Sequence, residues 1–393
     1  MTTVTGVNTD HVIYLDHQAT TPIDPRVLDV MLPYLTSDYG NPSSLHAYGR
    51  RAAKAIRVAR NQLLDLIGAS VESEVVFTSG ATEADHLAIS GMARALQGAG
   101  RHIVTTAVEH KAVLASCQHL VERGFQVTII PVSADGLVDP ADITAAITPT
   151  TVLVSVMHAN NEIGTIQPLA EIGQITREHG VLLHTDAAQS LGSLSFDVDH
   201  LGVDLASFSG HKVYGPKGVG ALYIRRGTVR PVPQISGGGQ EYGLRPGTLN
   251  VPGIVGLGQA AAILAEQRHS DSRRITVLRD RLLGMLRQTV PDIRVNGSLT
   301  RRLPGNLNIT LSGIEADQLI EHLPGLAIST GSACSTGQPD PSHVLTAIGL
   351  GRSSARSSIR IGLGRGTTLQ HITTAVQQIS GAVQASTVVH RTT

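Results

Sequence analysis

Glu74-Val75-Val76-Phe77, running into Thr78-Ser79-Gly80-Ala81-Thr82-Glu83 and then a helical pattern through Leu96, is the stretch whose reading decides the fold. β-Branched and aromatic residues form a short strand, and a turn of small polar residues opens a helix behind it. The same alternation continues down the chain. Strand-like runs recur at 102–106, 127–131, 152–157, 181–186 and 204–209. Helix-length segments separate them, such as 111–123, where Val113, Leu114, Cys117, Leu120 and Val121 share one face at helical spacing. Alternating β and α elements predict an α/β fold whose mostly parallel sheet is covered by helices on both sides. Ligands of such sheets sit beyond the carboxyl ends of the strands.

Beyond about residue 260 the pattern changes. An amphipathic helix over 275–286, strands at 307–311, 326–330 and 358–361, and a closing helix over 369–383 predict a smaller α+β domain. With 393 residues the chain is too long for one core. We expect a large domain over 18–260 and a small one built from 1–17 and 261–393. The Gly-rich stretch 236–247 reads as a mobile or functional loop.

Composition narrows the function. Lys plus Arg and Asp plus Glu number 31 each and there is no Trp, so nothing points to a nucleic-acid or membrane partner. The first ten residues are polar, unlike a signal peptide, and no apolar run approaches the ~18–20 residues of a membrane span. The two cysteines, Cys117 and Cys334, are too few for a disulfide framework or a thiolate zinc site. The expected setting is a reducing cytoplasm, where a free thiolate is usable.

Polar residues at the strand ends carry the candidate chemistry. Ser207-Phe208-Ser209-Gly210-His211-Lys212 ends one strand-like run. A lysine that forms a Schiff base belongs in such a confined place, although a lone loop lysine is ordinarily solvated. Ser209 and His211 could bind a phosphate from the same turn. The run over 181–186 ends in Asp186-Ala187-Ala188-Gln189. There a carboxylate could keep a pyridine nitrogen protonated, or simply cap a helix. Thr78 to Thr82 can seat a phosphate on backbone N–H groups. Glu109-His110 offers an imidazole that can stack on a ring, and Asn160-Asn161-Glu162 an amide for a phenolic oxygen. Cys334 lies among small residues, Gly331-Ser332-Ala333-Cys334-Ser335, in an accessible-looking loop. Cys117 falls on the apolar helical stripe and reads as inert core. Arg360 could clasp a substrate carboxylate or form a surface ion pair.

In order along the chain, Ala19-Thr20-Thr21-Pro22, Gly40-Asn41-Pro42-Ser43-Ser44, Phe77-Thr78-Ser79-Gly80-Ala81-Thr82-Glu83, His158-Ala159-Asn160-Asn161-Glu162, the segment 207–217 and Gly331-Ser332-Ala333-Cys334 resemble the NifS/IscS-type cysteine desulfurases. These are fold-type I, aspartate-aminotransferase-like enzymes of pyridoxal 5'-phosphate. The resemblance spans residues 14–368. It implies that Lys212 is the Schiff-base lysine, Asp186 the partner of the pyridine nitrogen, and His110 the stacking residue and a helper in deprotonation. It places Gln189 and Asn161 near the phenolic oxygen, and Ala81, Thr82, Ser209 and His211 on the phosphate. Thr248 resembles a phosphate ligand donated by a second subunit, which implies a homodimer with shared sites. Arg360 matches the arginine that binds the carboxylate of L-cysteine.

The implied reaction takes sulfur from L-cysteine onto the Cys334 thiolate, leaves alanine, and passes the persulfide to a sulfur-acceptor protein. No resident metal is implied; only Cys334 would meet an iron–sulfur cluster. Two departures stand out. Asp85-His86 replaces the commoner Asp-Asn, and the tail over 385–393 lacks the aromatic-containing extension with which some members dock a scaffold. Selenocysteine lyase, plain aminotransferase and inactive cofactor-binding scaffold are the competing readings. The destination of the sulfur stays open between iron–sulfur assembly, tRNA or DNA thiolation and cofactor synthesis.

Overall fold

The computed structural model describes residues 12–330 and 341–389. In chain order the strands of the main sheet, after a short β1 (Ile13–Tyr14), are β2 (Val75–Thr78), β3 (His102–Thr106), β4 (Gln126–Ile130), β5 (Thr151–Ser155), β6 (Leu182–Asp186), β7 (Leu205–Ser209) and β8 (Gly220–Ile224). The seven strands from β2 onward form one sheet in the order β2-β8-β7-β6-β5-β3-β4. Pairings among β3 to β7 are parallel, while β8 runs antiparallel to both β2 and β7. Every residue of β2, β3, β5, β7 and β8 is buried, as a sheet covered on both faces requires.

The expected strands are present with small shifts. The run over 127–131 stops at Ile130, since Pro131 has no N–H for the ladder. The sequence reading passes over β8. Its first residue shows why the strand matters: a side chain on Gly220 would strike the Phe208 carbonyl and the Gly80 Cα. Glycine there lets the turn after β2 lie close against the end of β7.

A second sheet has the order β12-β13-β10-β9, from β9 (Arg294–Val295), β10 (Asn306–Thr310), β12 (Ser329–Thr330) and β13 (Ser358–Gly362). The intervening β11 (Leu326–Ala327) pairs in parallel with β1. The single strand expected over 326–330 is therefore two short pieces serving different partners. Ile328, between them, is buried.

The expected separate helix over 275–286 is part of a continuous helix, Val251–Thr289, of 39 residues. Asn250 caps it by accepting from the Gly253 N–H, and Pro252 sits in its first turn, where no N–H is needed. Its first half, including Ile254, Leu257 and Leu264, packs into the core under the seven-stranded sheet. Its second half, with Ile275, Leu282 and Leu286, packs into a core shared with Leu15, Ile309, Ile361 and the helix Leu369–Val389. The change of pattern near 260 marks a helix moving from one core to another. It does not mark a chain break.

Candidate active site

The carboxyl ends of β5, β6 and β7, together with the turn after β2 and the segment after β3, frame a cavity of about 560 Å³. This is the size of a small-molecule site. Ala81, Thr82, His110, Asn161, Asp186, Gln189, Ser209, His211 and Lys212 all line it.

Lys212 closes a tight turn, Gly210–Lys212, directly after β7. A side chain at Gly210 would press on the Pro216 carbonyl at 2.8 Å, so the turn is open only to glycine. The lysine Nζ donates to the Gln18 carbonyl at 2.5 Å and the Ala19 carbonyl at 2.7 Å. Gln189 Nε2 donates to the same Gln18 carbonyl at 2.9 Å. The segment 18–20 is thus a wall that holds the amine in place.

Asp186 ends β6 and is 6% exposed. Its Oδ1 accepts from the Ala188 N–H at 2.9 Å, a local turn bond rather than a helix cap. Burial pushes its pKa up, and His110, the Ala188 N–H and Lys212 pull it down. His110 caps the helix Lys111–Val121: its Nδ1 accepts from the Ala112 N–H at 3.2 Å, which leaves Nε2 to carry the proton of a neutral ring. Burial lowers its pKa, Asp186 raises it and Lys212 lowers it further. His211 bonds Thr20 Oγ1 at 3.1 Å through Nδ1. Burial and then Lys212 push it down to about 4, so it is neutral at pH 7.

Asn160, buried, builds the turn that presents Asn161. Its Oδ1 accepts from the Glu162 and Ile163 N–H groups, and its Nδ2 donates to the Val108 carbonyl. Arg360 does not itself line the cavity. At 1% exposure it is a buried residue and not half of a surface ion pair. Its Nη1 donates to the Asn161 carbonyl at 3.1 Å and its Nη2 to Asp16 Oδ1 at 2.9 Å. Asp16, unassigned in the sequence reading, lies 344 positions away and gives no local signal.

Thr248 is exposed and lies outside this cavity. Its loop is anchored where the sequence suggests mobility. Glu241 is buried against Arg60 and the Phe77 N–H, and Arg245 Nε reaches Glu83 Oε1 at 3.0 Å. Glu83 in turn accepts from the Ser79 N–H at 2.7 Å, tying the loop to the turn that carries Ala81 and Thr82. Cys334 lies outside the described residues. Cys117 is 3% exposed, and burial pushes its thiol up to about 12, so it is inert core.

The donor set fits pyridoxal phosphate. The lining combines an amine, a buried carboxylate, an imidazole, and a helix start together with Ser209 and the neutral His211. An aldehyde, a pyridine nitrogen, a ring face and a phosphate are the complements of these four features. Among the described residues no group of His, Cys, Asp and Glu is arranged to hold a metal ion, and no helix is long and apolar enough to cross a membrane.

Residues 13–374 match the family described as aminotransferase class-V. The chain is 52% identical over 367 residues to a cysteine desulfurase IscS of Anaeromyxobacter dehalogenans, covering 93% of this chain and 91% of that one. Among solved structures, a NifS-like protein superposes with TM-score 0.89 at 37% identity, covering 95% of this chain and 99% of that chain. A structure described as SspA in complex with cysteine superposes with TM-score 0.80 at 40% identity, covering 90% and 99%.

Proposed function

The chain belongs to the aminotransferase class-V family, and from that membership we propose that it is a pyridoxal-phosphate-dependent cysteine desulfurase. The observation that carries the reading is the cavity in which Lys212, Asp186 and His110 meet at the ends of adjacent structural elements. Lys212 would hold the cofactor, Asp186 its ring nitrogen, His110 its face, Gln189 and Asn161 its phenolic oxygen, and Ala81, Thr82, Ser209 and His211 its phosphate. When bound, the cofactor supplies an aldehyde carbon for amines and an electron sink for the substrate α-carbon.

The chain's own groups do the rest. Arg360, steadied by Asp16 and the Asn161 carbonyl, offers a guanidinium for the substrate carboxylate. Lys212, its amine steadied by the Gln18 and Ala19 carbonyls, would take the α-proton. His110 would help deprotonate the thiol only by exchanging the Ala112 N–H at Nδ1 for the thiol proton, Nε2 keeping its own. The Cys334 thiolate attacks the substrate sulfur, an S–S bond forms as the C–S bond breaks, and the electron pair left on carbon is protonated to give alanine. The persulfide then passes to an acceptor protein.

Two cores joined by one helix support a division into a large unit near 18–260 and a small one from 1–17 and 261–393. The exposure of Thr248 on an anchored loop supports its donation to a partner's site in a homodimer. Cys117, the one cysteine among the described residues, is free there, which fits a reducing cytoplasm.

Borohydride reduction of the protein loaded with pyridoxal phosphate, followed by peptide mapping, tests the assignment. The cofactor should be fixed on Lys212 alone. Fixation on Lys217, which also lines the cavity, would refute it.

A further inference from the structure

Behind Asp186 lies a second carboxyl that the reaction above does not use. Asp85 sits on the helix Ala81–His86, one turn beyond the cavity-lining Ala81 and Thr82. It is 0% exposed, and neither of its oxygens has a hydrogen-bond partner among the described residues. Its nearest ring is His184, whose Nε2 stands 3.6 Å from Asp85 Oδ1. His184 and Asp186 are two apart on β6 and so point to one face of the sheet. His184 is fixed from both neighbouring strands: Nδ1 meets Ser155 Oγ at 2.9 Å and Nε2 meets Ser207 Oγ at 3.0 Å.

Two buried carboxyls in each other's field disfavour double ionisation, because each charge penalises the other and burial penalises both. The cationic groups fall on one side only. Asp186 has His110 and Lys212 to offset a charge. Facing Asp85 are Asp186 and His184 from β6, Glu109 from the segment after β3, and the Ser207 hydroxyl from β7, none of them a cation. Burial pushes His184 down to about 3, so it stays neutral. Burial and then Asp186 push Asp85 well up, against the pull of the Ser207 hydroxyl.

We propose that Asp85 is a positioning residue, a neutral carboxylic acid that fills the space behind Asp186 with a hydrogen-bond donor aimed at the His184–Ser207 pair. It thereby leaves Asp186 as the charged carboxyl facing the ring nitrogen of the cofactor. His184 Nε2 already meets Ser207 Oγ at 3.0 Å and stands 3.6 Å from Asp85 Oδ1, so a proton on Asp85 has this pair as its neighbours. The role of Asp186 follows from the functional reading above, and the proposal rests on that reading.

The test uses the full chain, Asp85→Asn and Asp85→Ala, with pyridoxal phosphate as the probe. Asp85→Asn keeps a neutral donor, so its dissociation constant for the cofactor should stay within about threefold of the parent's. Asp85→Ala leaves His184 and Ser207 without that donor, and binding should weaken at least about tenfold. Infrared spectra at pH 7.5 should show protonated-carboxyl absorbance in the parent that Asp85→Asn reduces, Glu109, which burial pushes up to about 8, supplying the remainder. An unchanged band, or Asp85→Ala binding as tightly as the parent, overturns the proposal. The infrared comparison decides even where Asp85→Ala does not fold. A parent chain that binds no pyridoxal phosphate sinks the functional reading itself. A parent that binds it while the Asp85 variants behave alike sinks only this role.

Discussion

Glu241→Gln is a one-atom change with a large expected consequence. Glu241 Oε1 accepts from Arg60 Nη2 at 2.7 Å, and its Oε2 accepts from Arg60 Nη1 at 3.0 Å and from the Phe77 N–H at 2.7 Å. The Arg60 and Glu241 side chains are 7% and 2% exposed, so water screens little of this pair. Glutamine has one acceptor oxygen, and its NH₂ would face donors at the other position. It also leaves the Arg60 charge buried without an anion. Breaking such a pair costs about 3–5 kcal/mol. Glu241 and Tyr242 have φ of 47° and 60°, an unfavourable backbone that the ion pair holds in place. The loop bearing Thr248 should loosen together with the β2 turn. Urea unfolding of the cofactor-free chain should show the stability loss, and cofactor binding should weaken in parallel. The double variant Arg60→Met, Glu241→Leu should recover most of the stability, because it buries no charge. A Glu241→Gln chain within ~0.5 kcal/mol of the parent would refute the reasoning, since surface changes alone stay in that range.

Arg360→Gln should raise the KM for cysteine about 100-fold, the scale of a lost charge-assisted pair, and change kcat less; an unchanged KM would remove Arg360 from substrate binding. Native protein should expose a single thiol to an alkylating reagent and denatured protein two, because Cys117 is buried with its thiol pushed to about 12. Burial raises Glu162 to about 7, against the pull of Ser342 and Arg360. The folded chain therefore keeps a proton that the unfolded chain releases near pH 4.5, and stability falls as pH rises from there to about 7. Glu162→Gln lacks that loss. Its stability relative to the parent should improve by about 2–3 kcal/mol between pH 5 and 7.5. A pH-independent difference in urea midpoints would contradict this.

The strand ends were legible because a short apolar run followed by a polar turn is a local signal. Asp186, Ser209 and Lys212 could be placed by it. What escaped was non-local. Asp16 reaches Arg360 across almost the whole chain, and Glu241 is buried by Arg60, 181 positions earlier. Neither pairing leaves a pattern in its own neighbourhood, so 236–247 read as a mobile loop for its glycines alone. β8 is short and follows a glycine-containing turn. Of the long helix only 275–286 was legible, because its apolar face serves a different core in each half. Asp85 was noticed only for its neighbour His86; its significance depends on burial, which periodicity does not report.

Sulfur transfer to Cys334 is the central claim, and one single-turnover experiment addresses it. Fully loaded parent and Cys334→Ala are mixed with one equivalent of L-cysteine without reductant, and alanine and protein-bound sulfur are quantified. The account predicts one alanine per chain and one added sulfur atom located on Cys334 in the parent, with both strongly reduced in the variant. Alanine formed by Cys334→Ala at the parent's rate, with no sulfur on the parent's Cys334, would contradict it.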